Sequence, residues 1–182
     1  MSKTTQQYDE AVALCRTMYE KKTGDYGPTW RLMRPSTLTD YLFIKAKRMR
    51  EIETSGINMV GEDQKGDFMA IVNYAVMALI QLQLGFTDQT NDISKEQALA
   101  LYDENIDHAR QILTAKNHDY DEAWRDMRIS SFTDIILNKI CRNKQIETNG
   151  GQTAVSEGVE GNYVDMINYA LFGIIRLSET QR

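Results

Sequence analysis

Prolines, cysteines and histidines are scarce in this 182-residue chain, at two of each. So few prolines leave long helices uninterrupted. Cys15 and Cys141 are too few and too far apart for a disulfide framework, and neither has a Cys-x-x-Cys partner, so reduced thiols are expected. There is no excess of positive charge: 21 Lys and Arg stand against 26 Asp and Glu, a net charge of −5. Duplex nucleic acid is therefore not an expected partner, because non-specific binding to it needs a basic face. A phosphorylated small molecule needs only a local basic pocket. No long uninterrupted apolar run occurs either. The longest, residues 68–84, is broken by Asn73, Gln81 and Gln83, which predicts a core helix and no membrane partner. The first ten residues lack the basic-then-apolar pattern of a secretory signal, so a cytoplasmic location is expected.

What the chain does contain is itself, twice. A shift of 94 residues places Tyr8, Asp9 and Glu10 on Tyr102, Asp103 and Glu104. The same shift carries Lys22, Asp25, Tyr26, Trp30, Arg31, Met33 and Arg34 onto Lys116, Asp119, Tyr120, Trp124, Arg125, Met127 and Arg128. It continues through Asp40, Lys45, Arg48, Ile52, Glu53 and Thr54 to Asp134, Lys139, Arg142, Ile146, Glu147 and Thr148. One residue is then added in the second copy. Beyond it, Glu62, Gly66, Asn73, Tyr74 and Ala75 match Glu157, Gly161, Asn168, Tyr169 and Ala170. Fixed-period identity of this kind marks a tandem duplication. The expected division is residues 1–84, a linker over 85–93, and residues 94–182.

Each copy reads as three helices, so the expected fold is all-α. The first carries an apolar stripe at Tyr8, Val12, Cys15 and Tyr19, repeated at Tyr102, Ile106, Ala109 and Leu113, with spacings that keep one face inward. Thr37 or Thr39, and Ser130 or Ser131, are the expected caps of the second helix, which ends near Gly56 and near Gly150 and Gly151. The third helix starts near Glu62 or Gly66 and is apolar nearly all round, as a buried central helix should be. Burying the two third helices against each other predicts a pseudo-twofold pair, an internal dimer to which further oligomerisation could be added.

The two copies act as a control on candidate chemistry. His108 and His118 fall opposite Leu14 and Gly24, and Cys15 and Cys141 opposite Ala109 and Lys47, so a duplicated zinc site or Cys/His nucleophile pair is not expected. The matched bases Lys22, Arg31, Arg34, Lys45 and Arg48, with Lys116, Arg125, Arg128, Lys139 and Arg142, are candidates to bind phosphate oxygens. Ion pairing with the matched acids Asp40, Glu53, Asp134 and Glu147 is the competing explanation. Asn73 and Asn168 are candidates for substrate contact, or are buried amides bonded to a neighbouring helix. Glu62, Glu157 and Asp165 are candidate magnesium ligands beside the basic face, since that cation takes oxygen ligands and bridges phosphates. Asp119 joins Glu157 and Asp165 as a candidate catalytic acid. Trp30 and Trp124 are expected to plug the core.

The pattern K-x-x-D-Y-x-x-x-W, then K-x-x-R, then E followed by N-Y resembles the nucleotide-modification-associated domain of the first type, a family of bacteria and phages. Lys22, Asp25, Tyr26, Trp30, Lys45, Arg48, Glu62, Asn73 and Tyr74 carry the likeness, and their partners carry it again. It implies a role around modified nucleotides. More distantly the layout is similar to all-α nucleotide pyrophosphatases of the MazG and dUTPase kind, which hold magnesium on helix-borne carboxylates and cleave nucleoside triphosphates. That likeness implies a magnesium-dependent pyrophosphohydrolase as one expected activity, with a non-catalytic module binding a nucleotide or a partner as the alternative. The paired E-x-x-E and E-x-x-D motifs of those enzymes are absent in clean form. Gly66, Ala70 and Gly161 stand where acids are expected, which makes copy two, with Asp165, the expected metal-binding half.

Overall fold

The computed structural model describes residues 2–156 and 158–180. Among the described residues there are six α-helices: α1 Lys3–Tyr26, α2 Pro35–Ser55, α3 Gln64–Leu84, α4 Lys95–Tyr120, α5 Ile129–Thr148 and α6 Val159–Thr180. A single 3-10 turn carrying the repeated Trp-Arg pair follows α1 at Thr29–Leu32 and α4 at Ala123–Asp126. The protein is an all-α tandem duplication.

Local sequence sets the helix ends. Ser2 and Ser94 cap α1 and α4, the latter through a reciprocal box with Gln97, satisfying amides that would otherwise lack partners. Asp63 caps α3 by accepting from the Gly66 amide at 2.7 Å. Gly56 closes α2 at φ +71°, a left-handed conformation that costs glycine little. The second helices begin earlier than the sequence suggested. Pro35 opens α2 and Ile129 opens α5, after Arg34 and Arg128, which make no side-chain cap bond. Proline's fixed φ suits the first turn. Thr39 and Thr133 therefore lie inside their helices and point to the other copy.

The helices α3 and α6 pack against each other, α2 packs on α3, α5 packs on α6, and α2 and α5 also meet, which closes a four-helix bundle; α1 and α4 each lie across both central helices, α3 and α6. Leu38, Leu42, Ala46 and Met49 form the buried stripe of α2, at the spacing that returns to one helix face. Each fully buried large aliphatic side chain contributes about 1.5–3 kcal/mol. By length and composition, α3 is long and apolar enough to cross a membrane, yet 61% of its apolar stretch is buried inside this bundle. The central helices approach closely at Gly173, where an added methyl would lie 2.6 Å from the Phe68 ring.

The pseudo-twofold relation is written in reciprocal side-chain bonds. Tyr8 donates to Asn168 at 3.1 Å, and Tyr102 donates to Asn73 at 2.8 Å. Arg16 pairs with Asp103 and Arg110 with Asp9. Thr39 donates to Glu147 at 2.7 Å, and Thr133 to Glu53 at 2.8 Å. Lys144 pairs with Asp40 and Arg50 with Asp134. Every bond joins one copy to the other, and every one has its counterpart. The matched acids thus serve the interface between copies rather than the matched bases.

Candidate functional site

In copy one, α1, its 3-10 turn, α2 and α3 enclose a cleft of about 500 Å³. Lys22, Tyr26, Trp30, Lys45, Glu62, Asn73 and Tyr74 all line it, and each belongs to the set retained in both copies. The helical spacing explains the convergence. Tyr41, Lys45 and Arg48 leave one face of α2, because residues three and four apart are neighbours on a helix. Met69, Ala70, Asn73, Tyr74 and Met77 present the facing side of α3.

One wall is aromatic and soft. Tyr41 and Tyr74 stack with ring centroids 5.3 Å apart, Tyr26 stands at the mouth with 55% of its surface exposed, and Met18, Met33, Met69 and Met77 fill in around them. Trp30 forms the floor, buried as expected, with its indole Nε1 lacking a hydrogen-bond partner. Burial raises the Tyr74 hydroxyl above its ordinary pKa, so it is a neutral donor at physiological pH.

The rim is charged. Lys22 is exposed and makes no ion pair among the described residues. Lys45 lies 3.5 Å from Glu62 and 3.6 Å from Asp67. Arg48 pairs closely with Asp67 and also donates to the Asn58 side chain and the Glu62 carbonyl at 3.1 Å, pinning the loop between α2 and α3. Asp67 is almost completely buried, and burial holds its pKa above the ordinary value although Arg48 and Lys45 pull it down.

Copy two has the same frame and different contents. Asp165 replaces Ala70, and its two oxygens lie 3.0 Å from the Lys116 ammonium and 2.7 Å from that of Lys139. Burial acts to raise its pKa, but hydrogen bonds from Lys139 and Lys116 prevail and hold the carboxyl below its ordinary value. Phe172 replaces Met77 and stacks flat on Trp124, centroids 4.2 Å apart and planes within 2°. Tyr169 meets Phe172 edge-on.

The remaining candidates separate by location. Arg31 is 3% exposed. It pairs with Asp92 at 2.8 Å and donates to Gln81 and to the Gly85 carbonyl, which fastens the segment between copies. Arg125 bonds Glu122, Glu179, Thr4 and Gln7. Both arginines are structural ties, not cleft residues. Gln81 and Arg176, at matching positions, donate to carbonyls of the two Trp-Arg turns. Arg34 lies over the Phe86 ring, and Arg128 is exposed at the start of α5. Arg142 is exposed beside Asn162, which replaces the acid that pairs with Arg48. Asn73 and Asn168 donate to the Cys15 and Ala109 carbonyls while accepting from the tyrosines, so both are satisfied buried amides. Asp119 is exposed and contacts His118. Glu157 lies outside the described residues.

Among the described residues no three His, Cys, Asp or Glu side chains converge. Both oxygens of Asp165 are taken by ammonium groups, against the expectation of a free carboxylate there. In copy one, Glu62 and Asp63 reach the rim, but the first faces Lys45 and the second caps α3.

The family model described as nucleotide modification associated domain 1 matches residues 22–82 and again residues 116–177. The two matched segments begin at the paired lysines Lys22 and Lys116, and the first contains most of the residues that line the copy-one cleft. No curated protein and no solved structure matches the chain.

Proposed function

Because the chain belongs to the nucleotide modification associated domain 1 family in two tandem copies, we propose that the copy-one cleft binds a nucleotide. The base lies against Tyr26, Tyr41 and Tyr74, and the phosphate meets the rim at Lys22 and Lys45. The single observation that carries this reading is the open cleft of about 500 Å³ with an aromatic, methionine-rich wall and a lysine pair. Sites for small ligands are typically about 300–1,000 Å³, mostly apolar, with a few placed polar groups. Aromatic faces accept any base by stacking, at about 1–3 kcal/mol each. Methionines adapt to the shape of the ring, and lysine serves phosphate as a point charge.

Binding without turnover is the function the side chains present support. Pyrophosphate release would need carboxylates free to hold magnesium, and those nearest are already engaged. Isothermal titration with nucleoside mono- and triphosphates, with and without magnesium, tests the reading. Saturable metal-independent binding, weakened about tenfold or more by Tyr74→Ala, is the expected result. Absence of binding overturns it. Magnesium-dependent release of pyrophosphate would replace it with the hydrolase.

A further inference from the structure

We infer that copy two is a self-occupied replica of the copy-one site: Asp165 stands where the ligand's anionic group binds in copy one, and Phe172 where its ring binds. The inference deepens the nucleotide reading and rests on it for the ring.

Lys22 and Lys45 line the open cleft across Ala70. The equivalent Lys116 and Lys139 close on Asp165 at 3.0 and 2.7 Å. A carboxylate that bridges two ammonium groups has the charge and the oxygen acceptors of a phosphate edge. Ala70 supplies neither, and the carboxylates near Lys45, at 3.5 and 3.6 Å, approach from the α3 N-terminal end rather than from position 70. Lys45 meets its acids at those longer distances and Lys22 makes no ion pair among the described residues, so an anion that bridges the two lysines at position 70 comes from outside the chain. The same substitution logic holds at the apolar end. Phe172 lies flat on Trp124, whereas Met77 and Trp30 border open space. One duplicated frame thus yields one vacant site and one filled from within, and the residues that decide which is which are Ala70 against Asp165 and Met77 against Phe172.

The test exchanges those residues. Isothermal titration with inorganic pyrophosphate, without added metal, should count one site per wild-type chain, none in Ala70→Asp and two in Asp165→Ala. Lysine side-chain NMR should show the shifts at Lys22 and Lys45 in the wild type. Ala70 is only half-buried, so its aspartate variant tests the anion place without opening the core. Pyrophosphate that binds Ala70→Asp as well as wild type, or that leaves Lys22 and Lys45 unmoved, overturns the inference. So does an Asp165→Ala variant that folds and gains no site. A parallel titration with nucleoside monophosphates separates the two claims. If pyrophosphate follows the expected counts but a nucleotide binds no more tightly than pyrophosphate, the anion place stands and the nucleotide reading falls. If a nucleotide binds a second time only in the combined Asp165→Ala, Phe172→Met variant, both stand.

Discussion

The hydroxyl of Tyr8 in α1 donates at 3.1 Å to Asn168 in α6, tying the first helix of one copy to the third helix of the other. Asn168 also donates to the Ala109 carbonyl at 3.0 Å, so one amide joins three helices. Asn168→Ala leaves the buried Tyr8 hydroxyl without its acceptor, while the Ala109 carbonyl keeps its partner within α4. It should cost about 1–3 kcal/mol for the stranded hydroxyl, and Asn73→Ala should cost a similar amount through Tyr102. Urea unfolding measures both. A loss in only one of the two would contradict the equivalence of the halves.

Gly173 is a point of close approach between the central helices. Gly173→Ala drives a methyl into the Phe68 ring at 2.6 Å, and overpacking of this kind costs about 1–3 kcal/mol. Pairing it with Phe68→Leu should recover part of the loss. Equal stability of Gly173→Ala and wild type in urea would show that α3 and α6 are farther apart than described.

Among the matched bases, Arg31 is a structural tie and Lys22 is a proposed ligand contact. Arg31→Ala leaves the buried Gln81 oxygen without its donor and releases Asp92, which lies at the surface, and should cost about 1–3 kcal/mol. Lys22→Ala should change stability by less than about 0.5 kcal/mol, as exposed substitutions do, while weakening nucleotide binding. Denaturation and titration of the two variants should give opposite profiles. A destabilised Lys22→Ala with unchanged affinity would remove Lys22 from the site.

Asp165 gives stability a dependence on pH whose sign follows from its lowered pKa. The native carboxyl releases its proton at a lower pH than the unfolded one. Its pairing with Lys139 and Lys116 therefore contributes fully above the ordinary aspartate range and is lost as pH falls through the native value. Asp165→Asn should unfold more easily at neutral pH and show a flatter acid limb than wild type. Parallel acid limbs in thermal melts would show that the pairing carries no such linkage.

The duplication, the three helices of each copy and the buried third helices were legible in the sequence, because identity at fixed period and apolar spacing report directly on packing. The burial of Trp30 and Trp124 was legible for the same reason. The site was legible only in part. Comparing copies finds what the copies share, and much of that is scaffold. Arg31 and Arg125 recur because each holds a loop, and Asn73 and Asn168 because each joins helices across the twofold relation. Arg16 and Arg110 recur too, as partners of Asp103 and Asp9, but no local pattern marks a pair that spans the two copies. What distinguishes an open cleft from a filled one lies in the mismatches: Ala70 against Asp165, Met77 against Phe172, and Tyr41 against Ile135. Tyr41 had one usable signal, its place four residues before Lys45 on the same helix face.

The central claim, that copy one holds the open nucleotide site, is tested most directly by tryptophan fluorescence, since the chain has two tryptophans, Trp30 on the floor of the copy-one cleft and Trp124 beneath Phe172 in copy two. In a Trp124→Phe variant only Trp30 reports. Titration with a nucleoside monophosphate should change its emission saturably, and Ala70→Asp in the same background should abolish the change. Emission that responds instead from Trp124 in a Trp30→Phe variant, with Trp30 silent, would contradict the account.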